Sequence, residues 1–135
     1  MKRMLVFINI VLLLILLVIA RIARFVFPFS SILKMLGQRS ASTVLPIPKL
    51  DRKANYLQSA MQWINRIIPV PVNCLLQAIA IRWLAQVYGI PGTTHIGVRK
   101  KENGTFDAHA WYMYGKKVIC GGGDLVGYEL MGSYH

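Results

Sequence analysis

Gly89 divides this chain into two halves of different periodicity, and that division limits the possible folds more than any other feature. Ahead of it, apolar residues recur at helical spacing. Behind it, short β-branched and aromatic runs alternate with turn signals. Helices first and an antiparallel sheet afterwards define an α+β chain. In the helical half, Arg52 to Ile68 places Tyr56, Ala60, Trp63, Ile64 and Ile67 on one face, and Pro69 and Pro71 stop it. The next predicted helix runs from about Cys74 to Tyr88, with Asn73 as N-cap and Gly89 in the residue after the C-cap. Strands are predicted at Thr93 to Arg99, Phe106 to Tyr114 and Val118 to Cys120. They are separated by the Asn103-Gly104 turn and by Gly115-Lys116-Lys117. No internal repeat or low-complexity segment is present.

The first helix raises a separate question. From Met4 to Ala20 every residue except Met4, Asn9 and Ala20 is Leu, Ile, Val or Phe, with Lys2 and Arg3 before the run and Arg21 and Arg24 after it. At about −0.3 to −0.6 kcal/mol per residue, such a run favours membrane insertion by several kcal/mol, more than one Asn cancels. Its length is near the lower limit for a span, and Ile22 to Phe29 extend it if the arginines snorkel. The alternative is a core helix, apolar all round because it is covered on all sides. A signal peptide fits less well, because Ala20-Arg21-Ile22-Ala23 puts charge where small residues are wanted. If the helix spans, the heavier positive charge after it leaves the rest of the chain in the cytoplasm. Pro28 then interrupts the helical run, Ser30-Ser31 cap a short helix over Ile32 to Leu36, and Gln38 to Lys49 reads as an extended connector. The expected organisation is residues 1–49 as hydrophobic helix, a possible membrane anchor, with short helix and connector, followed by 50–135 as the main domain.

Charge bears on partners. Sixteen Lys and Arg stand against five acids, a net +11. That balance calls for an anionic partner, with membrane surface and peptide ahead of nucleic acid, since no nucleic-acid motif is visible. The two cysteines, Cys74 and Cys120, are expected to be reduced, because nothing else resembles a disulfide scaffold.

The scarcity of acids narrows the search for chemistry. Cys74 at the head of a helix feels the positive end of the dipole and nearby unpaired N–H groups, both of which favour thiolate. His109 sits mid-strand and Asp124 follows the next strand after a glycine run. The order helix, strand, strand assembles a Cys-His-Asp site in which Cys74 attacks a carbonyl carbon and His109 moves its proton. A carboxylate then orients the imidazole. Asp124 is favoured because a neighbouring strand brings it beside His109. Asp107, at i−2 on the same strand face, is the rival. Against these stand plainer readings. A buried helical cysteine is usually a small hydrophobe, and a half-buried strand histidine, as His95 is expected to be, is usually a hydrogen-bonded core residue. His135 looks like a solvated terminus, and Trp83 and Trp111 like core aromatics. Zinc fails on spacing, and the glycine run at 121 to 123 lacks the Lys-Ser/Thr of a phosphate loop. No metal or cofactor is expected.

Four segments in order then carry a resemblance: Cys74-Leu75, Val87-Tyr88-Gly89-Ile90-Pro91, His95-Ile96-Gly97-Val98-Arg99-Lys100, and Phe106-Asp107-Ala108-His109-Ala110-Trp111. Across about residues 50 to 130 the chain resembles the lasso-peptide leader peptidases, the microcin-processing carboxy-terminal-domain family of the transglutaminase-like superfamily. Arg21, Arg24, Pro28-Phe29 and Leu36-Gly37 are similar to that family's opening helices. The resemblance implies a papain- or transglutaminase-like core and a cysteine protease that removes the leader from a ribosomally made precursor peptide, after which a cyclase closes the macrolactam. It carries over Cys74 as nucleophile, His109 as base and Asp124 as third member. Some members fuse a leader-binding domain ahead of the protease. Here the first fifty residues are hydrophobic helix and connector, so a separate leader-recognition protein is expected. The uniform apolar first helix departs from the pattern; a cytoplasmic location is expected, with residues 4–20 as a possible anchor to the cytoplasmic face of the membrane. Another amide or acyl transfer by the same triad, or a membrane-anchored scaffold, are the alternatives.

Overall fold

The computed structural model describes residues 2–28, 30, 31, 34, 47–67, 74–121, 125 and 127–134. The expected short helix at Ile32 to Leu36, most of the connector after it, the N-cap Asn73 and His135 lie wholly or mainly outside them, as does Asp124. Three α-helices come first: α1 (Lys2–Val26), α2 (Asp51–Ile67) and α3 (Cys74–Val87), with a single 3-10 turn at Pro48–Leu50 leading into α2. Four strands follow, β1 (Thr93–Lys100), β2 (Phe106–Tyr114), β3 (Lys117–Cys120) and β4 (Glu129–Tyr134), in one antiparallel sheet of order β3-β2-β1-β4. The architecture is α+β, as the change of periodicity at Gly89 implies. β4 was not predicted. Its sequence, Glu-Leu-Met-Gly-Ser-Tyr, lacks the β-branched alternation that marks a strand, and pairing with β1 supplies what local preference does not.

Helix α3 is the centre of the core. Leu76, Ala78, Ile79, Ala80, Ile81, Leu84 and Ala85 are all buried, which leaves α3 almost no solvent face. Helices buried on every side read as apolar all round, and its small residues let neighbouring backbones come close. The helix ends at Gly89, whose φ of 69° is the left-handed conformation that closes a helix. One face of the sheet, with Ala110, Tyr112, Tyr114 and Ile119, joins the same cluster. Burial of the aromatic Tyr112 pushes its hydroxyl above the ordinary tyrosine range.

Helix α1 lies against both α2 and α3. Its buried residues, Asn9, Leu13, Leu17 and Ala20, form one stripe at i, i+4, i+8 and i+11. The polar exception in the apolar run is satisfied there. The Tyr88 hydroxyl donates to Asn9 Oδ1 at 2.6 Å, and Asn9 Nδ2 donates to the Leu5 carbonyl at 2.8 Å. The opposite face, from Phe7 to Val26, is exposed and apolar. So α1 packs in the core on one side and presents hydrocarbon on the other. It is also long and apolar enough to cross a membrane by length and composition.

Leu13→Ala removes a fully buried side chain and is expected to cost about 2–5 kcal/mol in urea unfolding. Val18→Ala, on the exposed face, should stay within about 0.5 kcal/mol.

Candidate active site

Cys74 is the first residue of α3, so its thiol sits at the end of a helix held in place by the core behind it. The side chain is half-buried against that core. Both cysteines carry free thiols. Cys120 is the inert one: burial pushes it up to about 12, so it stays a neutral apolar filler.

His109 lies on β2 on the face away from the α-helices. Its neighbours alternate accordingly, with Ala110 and Tyr112 inward and Asp107, His109 and Trp111 outward. Register places Gly97 of β1 opposite His109, His95 opposite Trp111, and Arg99 opposite Asp107. Gly97 has no side chain to oppose the imidazole, and a Cβ there would come within 3.0 Å of the Trp111 ring. Trp111 is buried, as expected, but not in the helical core. Its ring lies 6.0 Å from His109 and 5.6 Å from His95, as the floor of the outward cluster. His95 is hydrogen-bonded to Ser133 Oγ at 2.9 Å, in the satisfied role the sequence suggests for it.

The imidazole is anchored by Nε2, 2.6 Å from the Gly121 carbonyl oxygen. A carbonyl only accepts, so Nε2 carries the proton and the neutral ring keeps its lone pair on Nδ1. That is the tautomer of a general base. Gly121 makes the contact possible. Its φ of 76° is left-handed, and a Cβ would lie only 2.8 Å from the Trp111 Cα, so only glycine lets the chain after β3 pass this close to β2.

Tyr128 is the residue the sequence did not single out. It stands alone between a glycine and a glutamate, with no local signal. The return of the chain into β4 brings its ring to 5.5 Å from His109, 6.3 Å from Trp111 and 4.5 Å from the Arg99 guanidinium. Its hydroxyl donates to Asp107 Oδ2 at 2.7 Å, and Arg99 stands 3.6 Å from the same carboxylate. The Tyr128 hydrogen bond holds Asp107 below the usual carboxylate range, helped by Lys101, Arg99 and His109. Sharing that proton with the carboxylate raises Tyr128. A negative charge on Cys74 is also close enough to raise it. Tyr128 is a direct neighbour of His109. Among the described residues no hydrogen bond joins Cys74 to His109, and Asp107 turns its carboxylate to Tyr128 and Arg99 rather than to the imidazole. No group of three metal-ligating side chains occurs among them.

Three helices capped by an antiparallel sheet, with a cysteine heading the buried helix and a histidine on the second strand, make a transglutaminase-like α+β domain. The family model of the Transglutaminase-like superfamily matches residues 14–131, and the protein belongs to that superfamily. Its members are, in general, cysteine peptidases or acyl transferases. No curated protein and no solved structure matches the chain.

Asp107 loses its proton more easily in the folded chain than in the unfolded one. Its contribution to stability is therefore present above the unfolded value of about 3.9 and is lost as pH falls through the lower folded value. Tyr128→Phe removes the largest cause, so the Asp107 carboxyl is expected to titrate closer to its ordinary value in a carbon NMR titration.

Proposed function

We propose that this protein is a cysteine peptidase that removes the leader from a ribosomally synthesised lasso-peptide precursor. The single observation that carries the chemistry is the Nε2 bond of His109 to Gly121, which leaves Nδ1 as the base. The nucleophile is Cys74, the base His109 and the third member Asp124, a carboxylate that balances the charge of the imidazolium when it forms. Asp124 lies outside the described residues, and the case for it is twofold. It follows Gly121, the anchor of the imidazole, by three residues, and Asp107 is already engaged by Tyr128 and Arg99.

In this reading His109 Nδ1 takes the thiol proton as Cys74 Sγ attacks the scissile carbonyl. Charge develops on the carbonyl oxygen, where the backbone N–H of Cys74 at the head of α3 meets it. The tetrahedral species collapses, the proton on Nδ1 passes to the leaving amine, and the amino-side fragment remains as a thioester on Cys74. Water then gives a proton to Nδ1 and adds to the thioester carbon, and collapse returns the thiol and releases the acid. One water is consumed per bond cut. An amine in place of that water would make the same intermediate a transfer reaction, the other chemistry of the superfamily. The resemblance of residues 50 to 130 to lasso leader peptidases favours hydrolysis, and it brings with it leader recognition and a cyclase, the recognition supplied in this reading by a separate protein. The reading places the work at the cytoplasmic face of a membrane and requires no metal or cofactor.

Mass spectrometry of the precursor incubated with the protein and its recognition partner tests this. Two fragments whose masses sum to precursor plus water, absent with Cys74→Ala, are the expected result. A precursor-amine adduct would show transfer instead, and an unchanged precursor with a leader-bound partner would overturn the peptidase reading. His109→Gln is expected to slow single-turnover cleavage by about a hundred- to ten-thousandfold.

A further inference from the structure

The two faces of α1 have different fates, and the outer one has no cover among the described residues. At about 3.6 residues per turn, Phe7, Val11, Val18, Ile22 and Phe25 fall on one side of the helix, opposite the buried Asn9, Leu13, Leu17 and Ala20. Those five are exposed to between 40 % and 80 % of their surface. Apolar residues continue around roughly half the circumference, far more exposed hydrocarbon than scattered surface residues leave.

What borders this strip is cationic. Arg3 and Arg21 lie along one edge, both exposed, and α1 contains no acid. An apolar groove opens beside the same edge, where Val6, Phe7 and Ile10 face Trp63 and Ile67 of α2. Trp63 is half-exposed there, an amphipathic ring of the kind that settles at headgroup level. At the other edge, Leu5 also lines a cavity of about 690 Å3 whose charged lining is Lys2, Lys49, Arg52 and Lys53.

We propose that the protein docks on an anionic lipid bilayer through this face, with α1 lying in the plane of the membrane rather than crossing it. An apolar strip between two cationic borders matches acyl chains beneath anionic headgroups. A second copy of the chain fits less well, because pairing two such faces brings their cationic borders together. Crossing is opposed by the inner face. The stripe from Asn9 to Ala20 is bound to the rest of the domain, and Asn9 is tied to Tyr88. A spanning α1 would either carry α2 to hydrocarbon depth, with its exposed Arg52, Lys53 and Arg66, or tear its own buried stripe from the core. This inference stands independently of the peptidase reading.

Flotation of the full chain with phosphatidylcholine vesicles, with and without phosphatidylglycerol, is the test. The protein is expected to float with the anionic vesicles and to remain below with the neutral ones. Val18→Asp should abolish flotation, and Arg3→Glu with Arg21→Glu should weaken it by at least on the order of tenfold. Orientation is read in a Cys74→Ala background from Lys2→Cys and Val26→Cys, using a membrane-impermeant maleimide added outside sealed vesicles. Cys120 is buried and does not compete. Reaction at both positions supports the in-plane helix, and protection of one of them overturns it. Equal flotation with both vesicle types would overturn the anionic match. Absence of flotation, or a lipid-free dimer broken by Val18→Asp, would overturn the bilayer as occupant.

Discussion

The burial of α3 is the constraint on which the rest of the structure depends. A helix with almost no solvent face must be enclosed by other elements, and here α1 and the inward side of β2 and β3 enclose it. Its alanines set how close those elements come. Because α3 is held on every side, its first residue is fixed in position, and that residue is Cys74. A thiol at the mouth of a rigid helix has its position settled by core packing rather than by a loop.

The sheet makes two unlike surfaces from the same strands. Inward, Ala110, Tyr112 and Tyr114 join the core; outward, His109, Trp111 and Asp107 meet Tyr128 and Arg99. The outward cluster is polar but largely satisfied, each group holding the next. Trp111 gives His109 a flat neighbour, Gly121 fixes its proton, and Tyr128 occupies the carboxylate of Asp107. The imidazole has Nε2 committed to the Gly121 carbonyl, and among the described residues no hydrogen bond joins it to Cys74.

Much of this was legible in residues 52 to 120, where local signals agree with the tertiary outcome. Helical spacing, Gly89, the Asn103-Gly104 turn and the alternation around His109 each specify their element independently. The structure departs from the sequence reading where information is non-local. β4 is a strand only because β1 offers it an edge, and Tyr128 matters only because that pairing returns it to His109. The Nε2 anchor depends on a left-handed glycine following β3. The glycine run after β3 was visible, but not the atom it would meet. Trp111 was rightly read as buried, but period-two alternation does not say which face of a sheet the α-helices cover.

α1 is the case where one composition serves two environments. Periodicity offered either a membrane segment or a core helix, because a run that is apolar all round carries no amphipathic signal to choose between them. The structure shows why both readings draw on the same residues: one stripe is core and the opposite stripe is bare. Asn9 marks the difference. In free hydrocarbon its amide would lack all but local partners, whereas against the domain it accepts the Tyr88 hydroxyl. Tyr88 follows directly on α3, the helix that Cys74 opens. Whatever covers the outer face of α1 is thus linked, through one hydrogen bond and a packed stripe, to the element that carries the Cys74 thiol.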